Sequence, residues 1–173
     1  ECAELGIASK KFSGRGEATL HPKVAELAAY AKSLGISDLM INTHGNRLTV
    51  ETMKKLVDCG VDRIIISVDG ATKETYEHIR VRGDYEKLVR NIEALLDYRN
   101  SRKMKKPLIR LQYVKMKENL HEFEEFKRQW ENKVDVIVGL DYSNRSDVSD
   151  RSVLERVEVG RNYCPEPFRR LMV

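Results

Sequence analysis

Five short runs rich in branched apolar residues alternate with helix-length amphipathic stretches, and this rhythm constrains the fold more than anything else in the chain. The runs are 8–13 (ASKKFS), 38–43 (DLMINT), 62–67 (DRIIIS), 107–114 (PLIRLQYV) and 134–140 (VDVIVGL), and each reads as a strand. Helical periodicity places helices near 23–34, 49–59, 73–79 with 84–100, and 119–132. Gly35 and Gly60 stand just past two of these, where a left-handed cap is expected, and Thr49 with Glu51 and Thr52 suits a helix start. Strands joined through helices must run parallel, because each crossover returns the chain in the same direction. IIIS and VIVGL are apolar without alternation, as strands covered on both faces are. The prediction is an α/β fold around a parallel sheet, either closed into all or part of a barrel or opened into a doubly wound sheet.

After Asp141 the rhythm dissolves into YSNRSDVSDRS, a polar linker, so the predicted division is a core over 1–141 and a linker with further segments over 142–173. The start, ECAELGI, reads as the tail of a helix, and FRRLMV as an apolar segment without a cap. A chain of 173 residues, 41% apolar and 34% charged, has enough material for one real core beneath a charged surface. The formal charge of +4 is dispersed, with KMKK (103–106) the one local run, so no nucleic-acid partner is expected. No apolar run approaches the roughly 20 residues of a membrane helix and no signal-peptide pattern opens the chain, so the expectation is no membrane and a cytoplasmic location. Cys2, Cys59 and Cys164 stand far apart, which argues against a disulfide framework or a metal site built from them alone. Cys59 reads as buried filler at a helix end; Cys164 lies in the loop-like NYCPEPF.

The polar and glycine-rich clusters all follow strands. Ser13-Gly14-Arg15-Gly16-Glu17 follows the first, Asn42-Thr43-His44-Gly45-Asn46 ends the second, and Ser67-Val68-Asp69-Gly70 ends the third. The fourth leads through Gln112 and Tyr113 to Lys115, and the fifth to Asp141. In parallel α/β folds the carboxyl edge is where ligands bind, since its loops are free of core packing. Each cluster also has a plainer reading: Asp69 as the cap of the next helix, Gly14 and Gly16 as a tight turn beside a solvated Glu17, His44 as a loop residue, Arg80 and Arg82 as surface charges. Their coincidence on one edge favours a site. Glycines let backbone groups approach a ligand, and Glu17 suits an ammonium. Ser67, Thr43 and Asn46 suit a sugar, and Arg80 or Arg82 suits a carboxylate. Ammonium, carboxylate and ribose together describe an amino-acid nucleoside. No Ser-His-Asp order, GxxxxGK[ST] loop or GxGxxG spacing competes.

GRGEATLHPKVAELAAYAKSLG resembles the GGEPTLHP segment of radical S-adenosylmethionine enzymes, and INTHGNRLT resembles their TNG-plus-Leu strand end. IIISVDGATKETYEHIR followed by DYEKLVRNIEALLDYR resembles their SLDG, YxxIR and NIxxL run, so the likeness covers about residues 3–140. The tail NYCPEPFRRLMV resembles the entrance to the SPASM extension, where a cysteine before proline and an aromatic residue opens an auxiliary iron–sulfur site.

The resemblance implies a partial (β/α)6 TIM-like barrel of parallel strands, with the first strand expected upstream of residue 1. It also implies S-adenosylmethionine bound on a [4Fe–4S] cluster, whose electron cleaves the sulfonium to give a 5′-deoxyadenosyl radical that abstracts a substrate hydrogen. By position, Gly14, Arg15, Gly16 and Glu17 would hold the methionine amino group, with Thr43 close by. Ser67 and Asp69 would take the ribose or carboxylate side and Arg80 the carboxylate, while Gln112 and Leu140 would face the cofactor. Cys164 would ligate an auxiliary cluster. A peptide, protein, sugar or aminocyclitol substrate and a flavodoxin- or ferredoxin-type electron donor are the partners implied.

The chain departs from this pattern in places. The CxxxCxxC segment that ligates the cluster is absent and is expected before residue 1, so this chain by itself lacks the thiolates for radical chemistry. Arg15, Ala18 and His44 stand where glycine, proline and asparagine are usual. Two other readings stay open: a degenerate barrel serving as a binding or scaffold module, and an unrelated aldolase-type barrel, for which Lys115 is the lysine near a strand end.

Overall fold

A computed structural model describes residues 6–13 and 16–142, and within them the alternating runs become parallel strands joined by helices. The strands are β1 (Ser9–Phe12), β2 (Asp38–Thr43), β3 (Arg63–Ser67), β4 (Leu108–Lys115) and β5 (Val136–Asp141). The helices are α1 (Val24–Ser33), α2 (Val50–Asp58), α3 (Lys73–Ile79), α4 (Tyr85–Ser101) and α5 (Phe123–Trp130). Single 3-10 turns cover Ala18–Leu20 and Leu120–Glu122, the second replacing the start of the helix expected from residue 119. Every strand pairs in parallel with the next in sequence, giving the order β1-β2-β3-β4-β5. This is the arrangement expected of a partial barrel, in which successive βα units add one strand at a time to a growing sheet.

Strand register sorts the side chains into two faces. Ile41 lies opposite Ile64, Ile64 opposite Ile109, and Ile66 opposite Leu111, so these residues share one face. With Leu39 and Tyr113 they are fully buried against the helices. α4 meets them with Leu88, Ile92, Leu95 and Leu96, the spacing of one helical stripe, and α2 with Met53, Leu56 and Val57. Burying each such side chain stabilises the fold by about 1.5–3 kcal/mol, so the helix-facing layer is where the sheet is held. The other face carries Met40, Asn42, Ser67, Arg110 and Gln112 and is half-buried. β3 is covered on both faces, as its run of isoleucines predicts. β5 is not: Val136 and Leu140 are about 40% exposed, because this strand is the sheet's edge among the described residues and pairs on one side with β4.

Helix starts are set locally. Thr49, Thr72 and Asp84 each accept a hydrogen bond from the backbone N–H three residues on, capping α2, α3 and α4. Gly35 and Gly60 take φ of +86° and +80° past the ends of α1 and α2, as predicted. Charge at the amino edge of the sheet is structural. The buried Asp62 carboxylate accepts from Lys32 Nζ at 2.7 Å, Lys106 Nζ at 2.6 Å and the Leu39 N–H at 2.8 Å. Burial pushes that carboxyl up, but the N–H of Leu39 and the two lysines outweigh it and hold it below its ordinary value.

Candidate functional site

At the opposite, carboxyl edge, β1, β2 and β3 release the chain into the loops that carry the polar clusters. Gly16, Glu17, Asn42, Thr43, His44, Ser67 and Arg80 line one cavity of about 420 Å³. That size falls within the range of small-molecule sites.

Glu17 is fixed before any ligand arrives. It caps the turn at Ala18–Leu20: Oε1 accepts from the Thr19 N–H at 3.1 Å and from the Thr19 hydroxyl. Oε2 accepts from the His44 N–H at 2.8 Å and lies 3.5 Å from His44 Nε2. The Glu17 side chain is 10% exposed. Burial raises its pKa, yet the bonds from Thr19, Thr43 and the His44 and Thr19 N–H groups outweigh burial, so the carboxyl sits below its ordinary value and is an anion at neutral pH. The Asn46 N–H donates to His44 Nδ1 at 3.2 Å, so in the neutral ring Nε2 carries the proton and points it at Glu17. Thr43 Oγ1 accepts from the Gly45 N–H at 2.9 Å and lies 3.3 Å from Thr19 Oγ1, which ties the second strand end to the first. Gly45 has φ +77° and backs onto Leu88 and Ile66, a position closed to other residues by both conformation and space.

The third strand end supplies a cation. Asp69 does not cap α3, a task taken by Thr72. Its carboxylate, 4% exposed, instead accepts from the Val114 N–H at 2.9 Å and from Arg80 Nε at 2.8 Å and Nη2. Arg80 is thereby held at the cavity wall with Nη1 outside that pairing. Gly70 follows because a Cβ there would meet the Tyr76 backbone N at 2.6 Å. Asn46 is buried beside them, donating to Tyr76 Oη at 3.1 Å and accepting from the Asp84 N–H at 2.7 Å, so it serves the scaffold rather than a sugar.

Of the residues singled out from sequence, Gly16, Glu17, Thr43, Ser67 and Arg80 come together at this cavity. Asp69 stands behind Arg80. Gln112 lies opposite Ser67 in register and accepts from Arg110 Nη2 at 3.2 Å. Leu140 is on the edge strand and does not line the cavity. Arg82, at φ +65°, is exposed. Gly14, Arg15 and Cys164 lie outside the described residues. Two lining residues were not assigned to the site from sequence. His44 reads as a loop residue until its ring is seen against Glu17. Asn42 opens the polar cluster at the end of β2, and alternation puts it on the face of Met40 rather than of the buried Ile41.

A larger cavity, about 530 Å³, is lined by Thr72, Glu74, Thr75, His78, Glu118, His121 and Glu122. Its buried carboxylate is consumed: Glu122 accepts from the N–H groups of Ala71 (2.8 Å) and Thr72 (3.3 Å) and from the hydroxyls of Thr72 (2.9 Å) and Thr75 (2.5 Å). That cavity is the outside of a helix cap. Among the described residues no three His, Cys, Asp or Glu side chains are arranged to hold a metal. Cys59, half-buried at the end of α2, donates to the Leu56 carbonyl, and burial pushes its thiol up and keeps it protonated. An iron–sulfur cluster therefore finds no ligands among the described residues, while an amino-acid nucleoside finds an anion, a guanidinium and a hydroxyl.

Comparison with known proteins agrees with this division. The family model described as the radical SAM superfamily matches residues 1–129. The chain is 36% identical over 96 residues to the AdoMet-dependent heme synthase of Methanosarcina barkeri, covering 55% of this chain and 27% of that protein. It is 34% identical over 121 residues to the tungsten-containing aldehyde ferredoxin oxidoreductase cofactor-modifying protein of Pyrococcus furiosus, covering 68% and 33%. The chain thus spans about a third or less of the curated relatives it matches. In fold it is similar to Streptococcus suis SuiB bound to S-adenosylmethionine, with a TM-score of 0.64 at 21% identity over 90% of this chain and 34% of that one. No helix among the described residues is long and apolar enough to cross a membrane. With motifs, sheet order and family model in agreement, this chain belongs to the radical SAM superfamily.

Proposed function

We propose that the cavity between the ends of β1, β2 and β3 binds S-adenosylmethionine, and that the whole protein uses it for radical hydrogen abstraction. The observation carrying this reading is the convergence on one cavity of Glu17, which follows β1, Ser67, which ends β3, and Arg80, which ends α3. The methionine ammonium lies against the loop at Gly16 and Glu17, replacing the His44 ring, whose 3.5 Å contact is the longest that Glu17 makes. The methionine carboxylate takes Arg80 Nη1, and the Ser67 hydroxyl takes the ribose. Asp69 positions Arg80 without touching the ligand. A [4Fe–4S] cluster, held by residues outside the described ones, would supply the one-electron reduction of the sulfonium on which hydrogen abstraction depends. Cys164, with its following proline and aromatic residue, suits an auxiliary cluster of the SPASM kind.

The substrate is a peptide or a small molecule, reduction comes from a ferredoxin- or flavodoxin-type donor, and the setting is cytoplasmic. A binding module without radical chemistry is the second reading. The two part in one experiment on the full-length, anaerobically reconstituted protein. Calorimetry with S-adenosylmethionine tests the cavity, and formation of 5′-deoxyadenosine on reduction tests the chemistry. Arg80→Lys is expected to weaken binding, because lysine cannot grip Asp69 and a second carboxylate through a planar fork. Unchanged binding removes Arg80 from the site; binding without 5′-deoxyadenosine leaves the module.

A further inference from the structure

Asn42 brings to the wall of this cavity a side-chain oxygen that the folded chain does not use. Its Oδ1 is enclosed and has no hydrogen-bond donor, and among the described residues it is the one buried side-chain oxygen so placed. Buried acceptors are almost always satisfied, so an orphan at the wall of a cavity points to a partner that arrives with a ligand. We infer that Asn42 recognises the sulfonium charge of S-adenosylmethionine, which rests on the binding mode proposed above.

Strand order fixes the position. Glu17 follows β1, Asn42 is the penultimate residue of β2, and Ser67 ends β3. Asn42 lies opposite Ile65 in register, and Ile65 shares its face with Ser67, so Asn42 and Ser67 project from the same side of the sheet. A ligand with its ammonium at the β1 side and its ribose at the β3 side spans β2 with the part that joins them, and that part is the sulfonium. The sulfonium has no N–H or O–H to donate. It is a cation whose attached carbons carry polarised hydrogens, and its protein counterpart is an oxygen with free lone pairs that no donor has claimed. Thr43, next in the strand, alternates to the face of Ile41, and its hydroxyl is engaged by the Gly45 N–H. Glu17, which follows β1, is in that binding mode the partner of the ammonium.

The test compares S-adenosylmethionine with S-adenosylhomocysteine, which has the same ammonium, carboxylate and ribose but a neutral thioether. Both are titrated calorimetrically into the full-length, cluster-bearing protein and its Asn42→Leu and Asn42→Asp variants, and each ligand-free protein is melted. Asn42→Leu is expected to lower the affinity ratio of sulfonium to thioether roughly tenfold, the scale of one interaction with a charged group. Asn42→Asp should keep or raise that ratio. The ligand-free Leu variant should melt no lower than wild type, since it removes an unsatisfied oxygen. A ratio unchanged in both variants, or an equal loss for both ligands, overturns the inference and assigns Asn42 to a group the two share. Failure of wild type to bind S-adenosylmethionine overturns the parent reading instead.

Discussion

Glu17 shows how much one residue can be asked to do. Its carboxylate caps a turn, receives the His44 N–H from the neighbouring strand end and stays ionised at the wall of the cavity. Glu17→Gln keeps the shape, removes the charge and presents an amide N–H₂ to groups that are themselves donors. S-adenosylmethionine binding is expected to weaken by about 1.5–3 kcal/mol, the range for a hydrogen bond to a charged group. Calorimetry on the full-length protein checks this, and an affinity equal to wild type would give Glu17 to the turn alone. Glu17 was legible in the sequence because an acid between flexible glycines and a helix start is hard to explain by packing. Asn42 was not, since its meaning depends on which face of β2 it occupies and on a missing donor, neither of which a single string of residues records. Asp69 misled for a related reason: Ser-x-Asp-Gly suits a local cap, and the partner that claimed it, Arg80, is a helix away.

Among the elements, α3 depends on a distant one. It has seven residues, and its start is held by its own Thr72 together with Glu122, from the turn before α5. The Glu122 carboxylate accepts four donors from Ala71, Thr72 and Thr75, so it does for α3 what a local capping box does elsewhere. Glu122→Ala strands the buried N–H of Ala71 and is expected to cost about 1–3 kcal/mol, read as a lower midpoint in urea denaturation. A midpoint within error of wild type would mean that Thr72 caps α3 unaided. The same helix delivers Arg80 to the cavity, so the variant should also weaken S-adenosylmethionine binding. Element type and order were readable from periodicity, because the stripe on α4 and the runs in β2 to β4 report burial directly. The exposure of β5 was not, since VIVGL is apolar whether a strand lies inside a sheet or at its edge.

For the molecule as a whole, three carboxylates held below their ordinary pKa by hydrogen bonds sit on opposite edges of one sheet: buried Asp62 at the amino edge, half-buried Glu17 and buried Glu122 at the carboxyl edge. In each, burial raises the pKa and hydrogen bonds outweigh it, leaving the folded value below the ordinary one. A depressed carboxyl contributes stability that is complete above its unfolded pKa and lost as pH falls through the folded value. The melting temperature should therefore be nearly level from neutral pH to about 5 and drop steeply below about 4.5. A melting temperature that holds level to pH 3 would show these carboxylates to be unlinked to folding.

The sheet order has a consequence for how the chain is made. Each strand pairs with the one synthesised just before it, so no strand waits for a partner yet to emerge from the ribosome. Every residue lining the smaller cavity falls between Gly16 and Arg80, ahead of β4 and β5. The wall of that cavity is thus written in one uninterrupted stretch, and the strands that follow buttress it, β4 by giving the Val114 N–H to Asp69 behind Arg80. Recombination that exchanges the chain after Arg80 would carry every residue lining this cavity together into a new setting, where the incoming β4 and α5 would have to supply again the donor to Asp69 and the cap of α3.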